Sequence, residues 1–284
     1  MIKLVASDLD GTIIDKNNFI YENNFKAIED LTKNNMDFVV CTGKAYPITK
    51  DVCSKIKASY GIFGNGNQII DLKTGKEIYK KLLPNSDILK CIAIAKQYNL
   101  HVHVYTNNEV ISEELLYLDL RNYKLQTSTK SESCMKFKIV DDIQKYISNN
   151  NCDVCKLVIS STNPTDIIKN TILDNLDVSV TTIKKLGKYK DLIINKEYEY
   201  LDITPKGVNK STALKILGDY INVKTEEMLT IGDNLNDLDM IKNSGVGIAV
   251  ANAYEELKEV AQYTTINPVE KGAFAEAIYK FIKF

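Results

Sequence analysis

The most informative segment of the chain is Lys3-Leu4-Val5-Ala6-Ser7-Asp8-Leu9-Asp10-Gly11-Thr12. A short apolar run leads into two aspartates spaced by one residue, and Gly-Thr follows. Such a run is typical of a buried parallel strand. Ligands bind at the carboxyl ends of such strands, and Gly11 permits a tight turn there. The segment therefore predicts an α/β fold with Asp8 and Asp10 at a functional edge, although a plain strand and Asp-Gly turn is the alternative.

Three further segments place polar residues at the same kind of position. Val39-Val40-Cys41-Thr42-Gly43-Lys44 is a strand that ends in a hydroxyl and a glycine, and Pro205 to Ser211 leads into a helix through Lys210. Met228 to Asp237 is an apolar strand that runs into the acidic loop Gly232-Asp233-Asn234-Leu235-Asn236-Asp237. Because all four segments end a strand or open a helix with reactive residues, they indicate one shared site.

These four segments resemble the motifs of the haloacid dehalogenase superfamily of phosphatases, in the Cof-type branch with a large α/β cap. The matching residues occur in the family's order and span nearly the whole chain: Asp8 to Thr12, Thr42-Gly43, Lys210, and Gly232 to Asp237. The resemblance implies a doubly wound, mostly parallel, Rossmann-type sheet with an inserted α/β cap domain. It also implies Mg²⁺-dependent hydrolysis of phosphate monoesters through an aspartyl-phosphate.

The resemblance also implies a role for each motif residue. Asp8 is the nucleophile, and Asp10 is the general acid for the leaving oxygen and then the base for water. Thr42 donates to the phosphoryl oxygens, and Lys210 neutralises charge on the phosphate and on Asp8. The implied metal ligands are the carboxylates of Asp8 and Asp233 and the backbone carbonyl of Asp10. Asn236 and Asp237 are implied to bind the metal, its water molecules or Lys210.

The charge of the motif residues favours a cation independently. Two like charges about 4 Å apart repel by about 4 kcal/mol at an effective dielectric constant near 20. Four aspartates at −4, Lys210 at +1 and Mg²⁺ at +2 leave −1 before a dianionic phosphate enters. Carboxylate oxygens suit Mg²⁺, which substrate phosphate often completes. We therefore expect a site that needs its metal and holds one carboxyl protonated when phosphate is bound.

Two positions depart from the family pattern, and a third matches it in part. Lys44 stands where the family has arginine, and a lysine is a point charge rather than a bidentate fork. Asn67 stands where the family has alanine, in a segment in which Asn65 is a further candidate for a phosphate or substrate contact. With Thr42, Gly43, Lys210 and Asn236, Lys44 and Asn65 complete the predicted substrate-binding set.

The strand and helix pattern divides the chain at two places. Residues 1–83 and 200–284 alternate strand and helix and carry all the motifs, so they predict a catalytic core. Residues 84–199, which begin at Pro84, have their own α/β pattern without motif carboxylates and predict a cap domain. The expected core strands lie at 2–7, 37–41, 61–63, 68–71, 77–81, 228–232, 246–250 and 263–265. The expected cap strands lie at 101–105, 135–140, 156–160 and 178–182.

Composition narrows the class of protein further. The 284 residues are 44% hydrophobic and 26% charged with net charge −1, values that favour neither nucleic acid nor an anionic membrane as a partner. No apolar stretch approaches the roughly 20 residues that span a bilayer. We expect a cytoplasmic protein that is a monomer or weak homodimer. Cys152 and Cys155 have the CxxC spacing, and a zinc site with His101 and His103 is conceivable, but ordinary reduced cysteines are the favoured interpretation.

The leading hypothesis is a Mg²⁺-dependent phosphatase that acts on a small phosphorylated metabolite, such as a sugar phosphate. A phosphomutase of the same superfamily is the alternative among enzymes, because it would use the same residues but retain a bisphosphorylated intermediate. A non-catalytic metabolite sensor is the alternative of another class, and the complete acidic set argues against it. The sequence predicts the chemistry at the phosphate and leaves the identity of the leaving group open.

Overall fold

The computed structural model describes residues 1–17, 19–114, 135–150, 152–161, 165–189 and 192–284, with side chains except at 184–189 and 192–198. The chain forms two compact units. The first unit contains residues 1–44, 49–80 and 208–284, and the second contains residues 45–48 and 81–207.

The first unit is built on an eight-stranded sheet in the order β14-β13-β12-β1-β2-β3-β4-β5. Neighbouring strands from β14 to β3 are parallel, and β4 and β5 add an antiparallel hairpin. The strands are β1 (Leu4–Ser7), β2 (Asp37–Cys41), β3 (Tyr60–Phe63), β4 (Gln68–Asp71), β5 (Glu77–Lys80), β12 (Met228–Gly232), β13 (Val246–Ala249) and β14 (Tyr263–Thr264).

The position of β1 explains its sequence. Leu4, Val5 and Ala6 are fully buried, as expected for a central strand covered on both faces. The strand lies between β2 and β12, with Leu4 paired to both Asp37 and Met228. Its carboxyl end therefore lies beside those of β2 and β12, where three of the four motifs begin.

Helices cover this sheet and bring the fourth motif. The helices of the first unit are α1 (Glu22–Lys33), α2 (Tyr46–Lys55), α6 (Lys210–Ile221), α7 (Leu238–Asn243), α8 (Glu255–Val260) and α9 (Ala273–Phe281), although the first residues of α2 group with the second unit. A capping box begins α6: the Thr212 N–H donates to Asn209 Oδ1 at 2.8 Å, and the Asn209 N–H donates to Thr212 Oγ1 at 3.0 Å. This cap fixes the turn that carries Lys210.

The second unit has a six-stranded sheet in the order β10-β11-β9-β6-β7-β8, antiparallel except for the β7–β8 pair. Its helices pack on one face around a buried cluster that includes Ile92, Val104, Leu157 and Leu201. The elements are α3 (Asn85–Gln97), β6 (His101–Tyr105), β7 (Glu109–Ser112), β8 (Lys136–Ile139), α4 (Ile143–Asn149), β9 (Lys156–Ser161), α5 (Asp166–Asn175), β10 (Val178–Tyr189) and β11 (Leu192–Pro205).

The fold class is confirmed, and the second unit is richer in strands than the sequence indicated. The strands β7 and β11 were not predicted, and β10 continues to Tyr189 rather than ending near 182. Residue 200, the expected start of the returning core, lies within β11, and the division into units follows Gly207. Within the described part of the chain, no helix is long and apolar enough to cross a membrane.

The cysteines form no metal centre with the histidines in the described residues. The Cys155 thiol is buried and donates to Asn107 Oδ1 at 3.3 Å. Across those residues, one group of three or more His, Cys, Asp and Glu side chains is close enough to share a cation, and it consists of aspartates.

Candidate active site

Asp8 is the buried centre of the site. It follows β1 directly, its N–H donates to the Ile231 carbonyl at 3.0 Å, and 6% of the residue is exposed. Burial raises the pKa of its carboxyl to about 7; Lys210 opposes this shift, and the charges of Asp237 and Asp10 add to it. The carboxylate therefore lies where its own negative charge is unfavourable until a cation compensates it.

Lys210 is fully buried between two carboxylates. Its Nζ donates to Asp8 Oδ1 at 2.7 Å and to Asp237 Oδ1 at 2.6 Å. Burial opposes its positive charge, but the carboxylates of Asp237 and Asp8 outweigh that effect and raise its pKa. Lys210 is therefore a fixed positive charge that joins α6 to the ends of β1 and β12.

The loop after β12 supplies the second half of the acidic cluster. Asp237 Oδ2 accepts from the N–H groups of Asp233 at 3.0 Å and Asn234 at 3.1 Å, so both carboxylate oxygens of Asp237 are used within the protein. Burial and the nearby charges of Asp8 and Asp237 raise the pKa of Asp233 well above its ordinary value. The Asp233 side chain accepts one hydrogen bond, from the Thr12 hydroxyl, so it is less fully engaged by the protein than that of Asp237.

Asp8, Asp233 and Asp237 fit a hard divalent cation. Each offers a carboxylate oxygen, and these three oxygens lie within 4.8 Å of one another. Burial raises the pKa values of Asp8 and Asp233, and the charges of the neighbouring carboxylates add to that rise, so a cation would relieve both effects. Three clustered carboxylates are a donor set that Mg²⁺ prefers.

The turn after Asp8 is shaped around Asp233. Gly11 has a φ of +80°, and a Cβ at this position would lie 2.3 Å from Asp233 Oδ2. The next residue, Thr12, donates its hydroxyl to Asp233 Oδ1 at 3.1 Å. Glycine is required here both for the backbone conformation and for the close approach of the carboxylate.

The loop after β2 places Thr42 and Lys44. Thr42 is buried, and its N–H donates to the Ile62 carbonyl at 2.9 Å, while its hydroxyl oxygen accepts from the Lys44 N–H at 3.2 Å. Lys44 Nζ donates to Asp10 Oδ1 at 2.6 Å, and the Asp10 side chain is 43% exposed. The lysine that replaces the family's arginine therefore binds the predicted general acid.

Asn65 is held in the left-handed conformation beside Thr42. Its φ is +59°, between Gly64 at +58° and Gly66 at +109°. The Asn65 N–H donates to the Thr42 carbonyl at 3.1 Å, and its Oδ1 accepts from Asn236 Nδ2 at 2.9 Å. Gly43 lies against the same side chain, because a Cβ there would be 3.0 Å from Asn65 Oδ1. Asn67, the other departure from the family, is buried.

The structure brings the predicted site residues together at the carboxyl edge of the first sheet, and all of them belong to the first unit. Sequence reasoning missed Thr12 and Asn252. Thr12 lies within the quoted motif but was assigned no role. The Asn252 side chain donates to the Gly11 carbonyl at 2.8 Å. The rule that parallel strands end at one edge could have indicated Asn252, since it follows β13.

Comparison with known proteins agrees with the family resemblance of the sequence motifs. The sequence model of a family described as haloacid dehalogenase-like hydrolase matches residues 5–278. A Bacillus subtilis protein named 5-amino-6-(5-phospho-D-ribitylamino)uracil phosphatase is 26% identical over 283 residues, which cover 99% of this chain and 96% of that protein. The predicted enzyme class, a hydrolase of phosphoric monoesters, agrees with that name.

Solved structures show the same fold. A haloacid dehalogenase-like hydrolase from B. subtilis superimposes with a TM-score of 0.80 at 18% identity and covers 99% of this chain and 100% of its own. A sugar phosphatase of subclass IIB superimposes with a TM-score of 0.77 at 17% identity and covers 98% of both chains. By its sequence over nearly its whole length, and with a fold to match, the chain belongs to the haloacid dehalogenase-like hydrolase family.

Proposed function

We propose that the chain is a Mg²⁺-dependent phosphatase that hydrolyses small phosphorylated metabolites through an aspartyl-phosphate on Asp8. One observation carries the proposal: a fully buried Lys210 joins Asp8 to Asp237, and Asp233 lies in the same cluster. A buried arrangement of three carboxylates and one ammonium is costly unless it serves a charged ligand.

We assign the cation to Asp8, Asp233 and the Asp10 carbonyl. Asp237 has both oxygens engaged, so it holds Lys210 and the loop after β12, and Asn236 is held beside Asn65 for contacts to water or phosphate. When bound, Mg²⁺ would offset the repulsion between the Asp8 carboxylate and a dianionic phosphate.

Asp8 performs the first displacement. Lys210 holds Oδ1, which leaves Oδ2 as the attacking oxygen. The Oδ2–phosphorus bond forms as the bond to the ester oxygen breaks, and Asp10 gives its proton to the departing oxygen. Asp10 then takes a proton from water as that water attacks phosphorus, which breaks the aspartyl-phosphate and releases inorganic phosphate.

Thr42, Lys210 and Asn65 position the phosphoryl group. The Thr42 hydroxyl oxygen accepts from the Lys44 N–H, so its hydrogen is available to donate to a phosphoryl oxygen. The loops that hold these side chains are fixed by backbone hydrogen bonds and by the cap of α6. Preorganised donors of this kind supply much of the catalysis of phosphoryl transfer.

The leaving group is proposed to be a sugar or polyol. The B. subtilis relative is named for a phosphorylated ribityl compound, and one structural neighbour is named a sugar phosphatase. We further propose that the first unit acts as the catalytic core and that the second unit, which extends to Gly207 rather than to residue 199, acts as a cap that selects the leaving group. The assignment of all predicted catalytic residues to the first unit supports this division of labour.

The test is release of inorganic phosphate from a panel of sugar phosphates, polyol phosphates and one aryl phosphate. We expect release with Mg²⁺, none after chelation, and recovery when Mg²⁺ is restored. Asp8→Asn is nearly isosteric and should abolish release while the protein stays folded. Conversion of a sugar phosphate to its isomer that needs an added bisphosphate and releases no inorganic phosphate would indicate the phosphomutase. Binding without any turnover would indicate the sensor. Full activity of pure Asp8→Asn protein would remove Asp8 as the nucleophile.

A further inference from the structure

We propose that Asn252 is a positioning residue of this site. It binds the Gly11 carbonyl in the turn that follows Asp8, and the Thr12 hydroxyl of the same turn binds Asp233. The proposal rests on the proposed function, because the turn in question carries the nucleophile and one face of the acidic cluster. Asn252 does not contact the carboxylates of that cluster in any described hydrogen bond, so its effect on them is indirect.

The Asn252 amide joins two segments that are remote in sequence. Its Nδ2 donates to the Gly11 carbonyl at 2.8 Å, and its Oδ1 accepts from the Val269 N–H at 2.9 Å. The orientation of the amide is therefore fixed at both ends, since the donor meets a carbonyl and the acceptor meets an N–H. Asn252 itself is exposed, so its side chain contributes little to the packed core.

The Gly11 peptide is a sensitive point of the site. The Gly11 N–H donates to the Ile14 carbonyl at 2.8 Å, and Asn252 fixes the carbonyl of the same residue. That carbonyl belongs to the peptide bond between Gly11 and Thr12, and the Thr12 hydroxyl donates to Asp233 Oδ1. Rotation of the peptide between Gly11 and Thr12 would carry this hydroxyl away, so the Asn252 amide indirectly sets where Asp233 points.

The loop that contains Asn252 also holds Asp233 from its backbone side. The Tyr254 N–H donates to the Asp233 carbonyl at 3.0 Å, and the Val250 N–H donates to the Gly232 carbonyl at 3.1 Å. The Ala251 N–H donates to Thr265 Oγ1 at 2.9 Å, which anchors the loop to the end of β14. The loop therefore fixes the backbone of Asp233 directly and its side chain through Asn252, Gly11 and Thr12.

The experiment compares Asn252→Ala, Asn252→Asp and a control, Asn267→Ala. Aspartate keeps the acceptor for the Val269 N–H but cannot donate to the Gly11 carbonyl, whereas alanine loses both bonds without adding charge. Asn267 donates to Glu276 Oε2 at 2.7 Å in a neighbouring loop and does not contact Gly11, so its variant tests for general loosening of this region.

We expect both Asn252 variants to raise the Mg²⁺ concentration for half-maximal activity at least tenfold and to lower kcat more than they change KM. In the absence of substrate, the Mg²⁺ concentration that gives half of the rise in melting temperature should increase by a similar factor. Asn267→Ala should lower the melting temperature in chelator and leave both Mg²⁺ midpoints within about twofold of wild type.

Wild-type Mg²⁺ midpoints in Asn252→Ala would overturn the proposal. An impaired Asn252→Asp variant would not rescue it in that case, because the added negative charge would explain its defect. An equal shift of the midpoints in Asn267→Ala would also overturn it, because the effect would be general loosening. The substrate-free melting measurement separates this proposal from the proposed function. If wild type binds Mg²⁺ but hydrolyses no phosphate ester, the phosphatase proposal fails and the thermal midpoints still decide the role of Asn252.

Discussion

At the scale of single residues, Asp8 is held in an environment that disfavours its charge. Burial raises its pKa to about 7, so the metal-free folded protein binds a proton there that the unfolded chain releases near pH 4. Asp8 therefore contributes to stability at low pH, and that contribution is lost as the pH rises from about 4 to 7.

The first prediction is that Asp8→Asn is more stable than wild type in chelator at pH 8. The amide has no charge to desolvate, so we expect a gain of about 1 kcal/mol or more in the free energy of unfolding, since one pKa unit corresponds to about 1.4 kcal/mol. Urea unfolding at pH 8 and pH 5 measures it, and the gain should shrink at pH 5. If the variant is less stable than wild type at pH 8, the stabilisation from the hydrogen bond between Lys210 and Asp8 exceeds the cost of burying the Asp8 charge.

A second residue with a buried ionisable group is His103 on β6. It is 3% exposed, and its Nδ1 has no hydrogen-bond partner among the described residues. Burial, with the neighbouring His101 and the charge of Lys156, lowers the pKa of His103 well below its ordinary value. The unfolded chain then binds a proton below about pH 6.5 that the folded chain does not, so stability falls as the pH falls.

Between pH 7 and pH 5, we expect His103 to lower the free energy of unfolding of the wild type by up to about 2 kcal/mol. We predict that His103→Asn abolishes this part of the loss. The measurement is the free energy of unfolding at both pH values for wild type, His103→Asn and His101→Asn. His101 is the matched control because burial also lowers its pKa, so its variant shows how much each histidine contributes. Identical pH dependence in wild type and His103→Asn would contradict the prediction.

Most of the site could be predicted at this scale because its residues follow parallel strands directly. Asp8, Thr42 and Asp233 are placed by the rule that carboxyl ends of parallel strands meet at one edge. The contact of Lys44 with Asp10 could not be predicted, because it depends on the path of a loop that no sequence period specifies. The role of Asn252 depends on a turn 241 residues away, which local patterns do not reveal.

At the scale of elements, the loop after β3 and the start of α6 are in close contact. Gly66 has a φ of +109°, and a Cβ there would lie 2.3 Å from the Asn209 carbonyl oxygen. Asn209 is the N-cap of the helix that begins with Lys210. The approach of these two elements therefore determines where the buried ammonium enters the site.

We predict that Gly66→Ala lowers stability by about 2 kcal/mol or more and reduces phosphate release at least tenfold. The added carbon would force Asn209 outward and displace Lys210. Gly75→Ala is the matched control, because its φ is +75° but a Cβ there meets nothing within 4 Å. It should cost about 1 kcal/mol of backbone strain and leave activity unchanged. Equal effects of the two variants in both measurements would mean that backbone conformation alone matters.

Elements with strong periodicity were predicted, and elements without it were not. The prediction of β2 at residues 37–41 is confirmed to the residue. The strand β7 was missed because Glu109-Val110-Ile111-Ser112 has only two apolar residues and no alternation. The strand β11 was missed because the predicted boundary at residue 200 divides it. Its pairing with β10 and β9 forms the strand across that boundary, and such pairing is not visible in the local sequence.

At the scale of the whole molecule, each of the two units has its own sheet. On the second sheet, Lys156 and Asp202 form a buried ion pair, with Nζ 2.6 Å from Oδ2 and Nζ 4.9 Å from the Tyr105 ring centroid. Removal of one member of such a pair leaves the other charge buried without its partner, which costs about 3–5 kcal/mol.

We predict that Lys156→Met destabilises the second unit by about 3–5 kcal/mol and that the double variant Lys156→Met, Asp202→Leu recovers much of this loss. Because multidomain proteins need not unfold in one step, calorimetry should show the transition of the second unit moving to lower temperature ahead of the first. A double variant that is as unstable as the single variant would show that the cost lies in packing and not in charge.

The central place of β1 affects how the protein is made. Its partner β12 pairs Met228 with Leu4, and Lys210 meets Asp8 across 202 residues of sequence. At about 5–20 residues per second, a ribosome takes roughly 10–40 s to synthesise the chain between these two strands. Throughout that interval one edge of β1 lacks its partner in the nascent chain and presents unpaired backbone groups, as edge strands do. The nascent chain therefore carries an unpaired strand edge for most of its synthesis, and Asp8 acquires its lysine only after about three quarters of the 284 residues have been made.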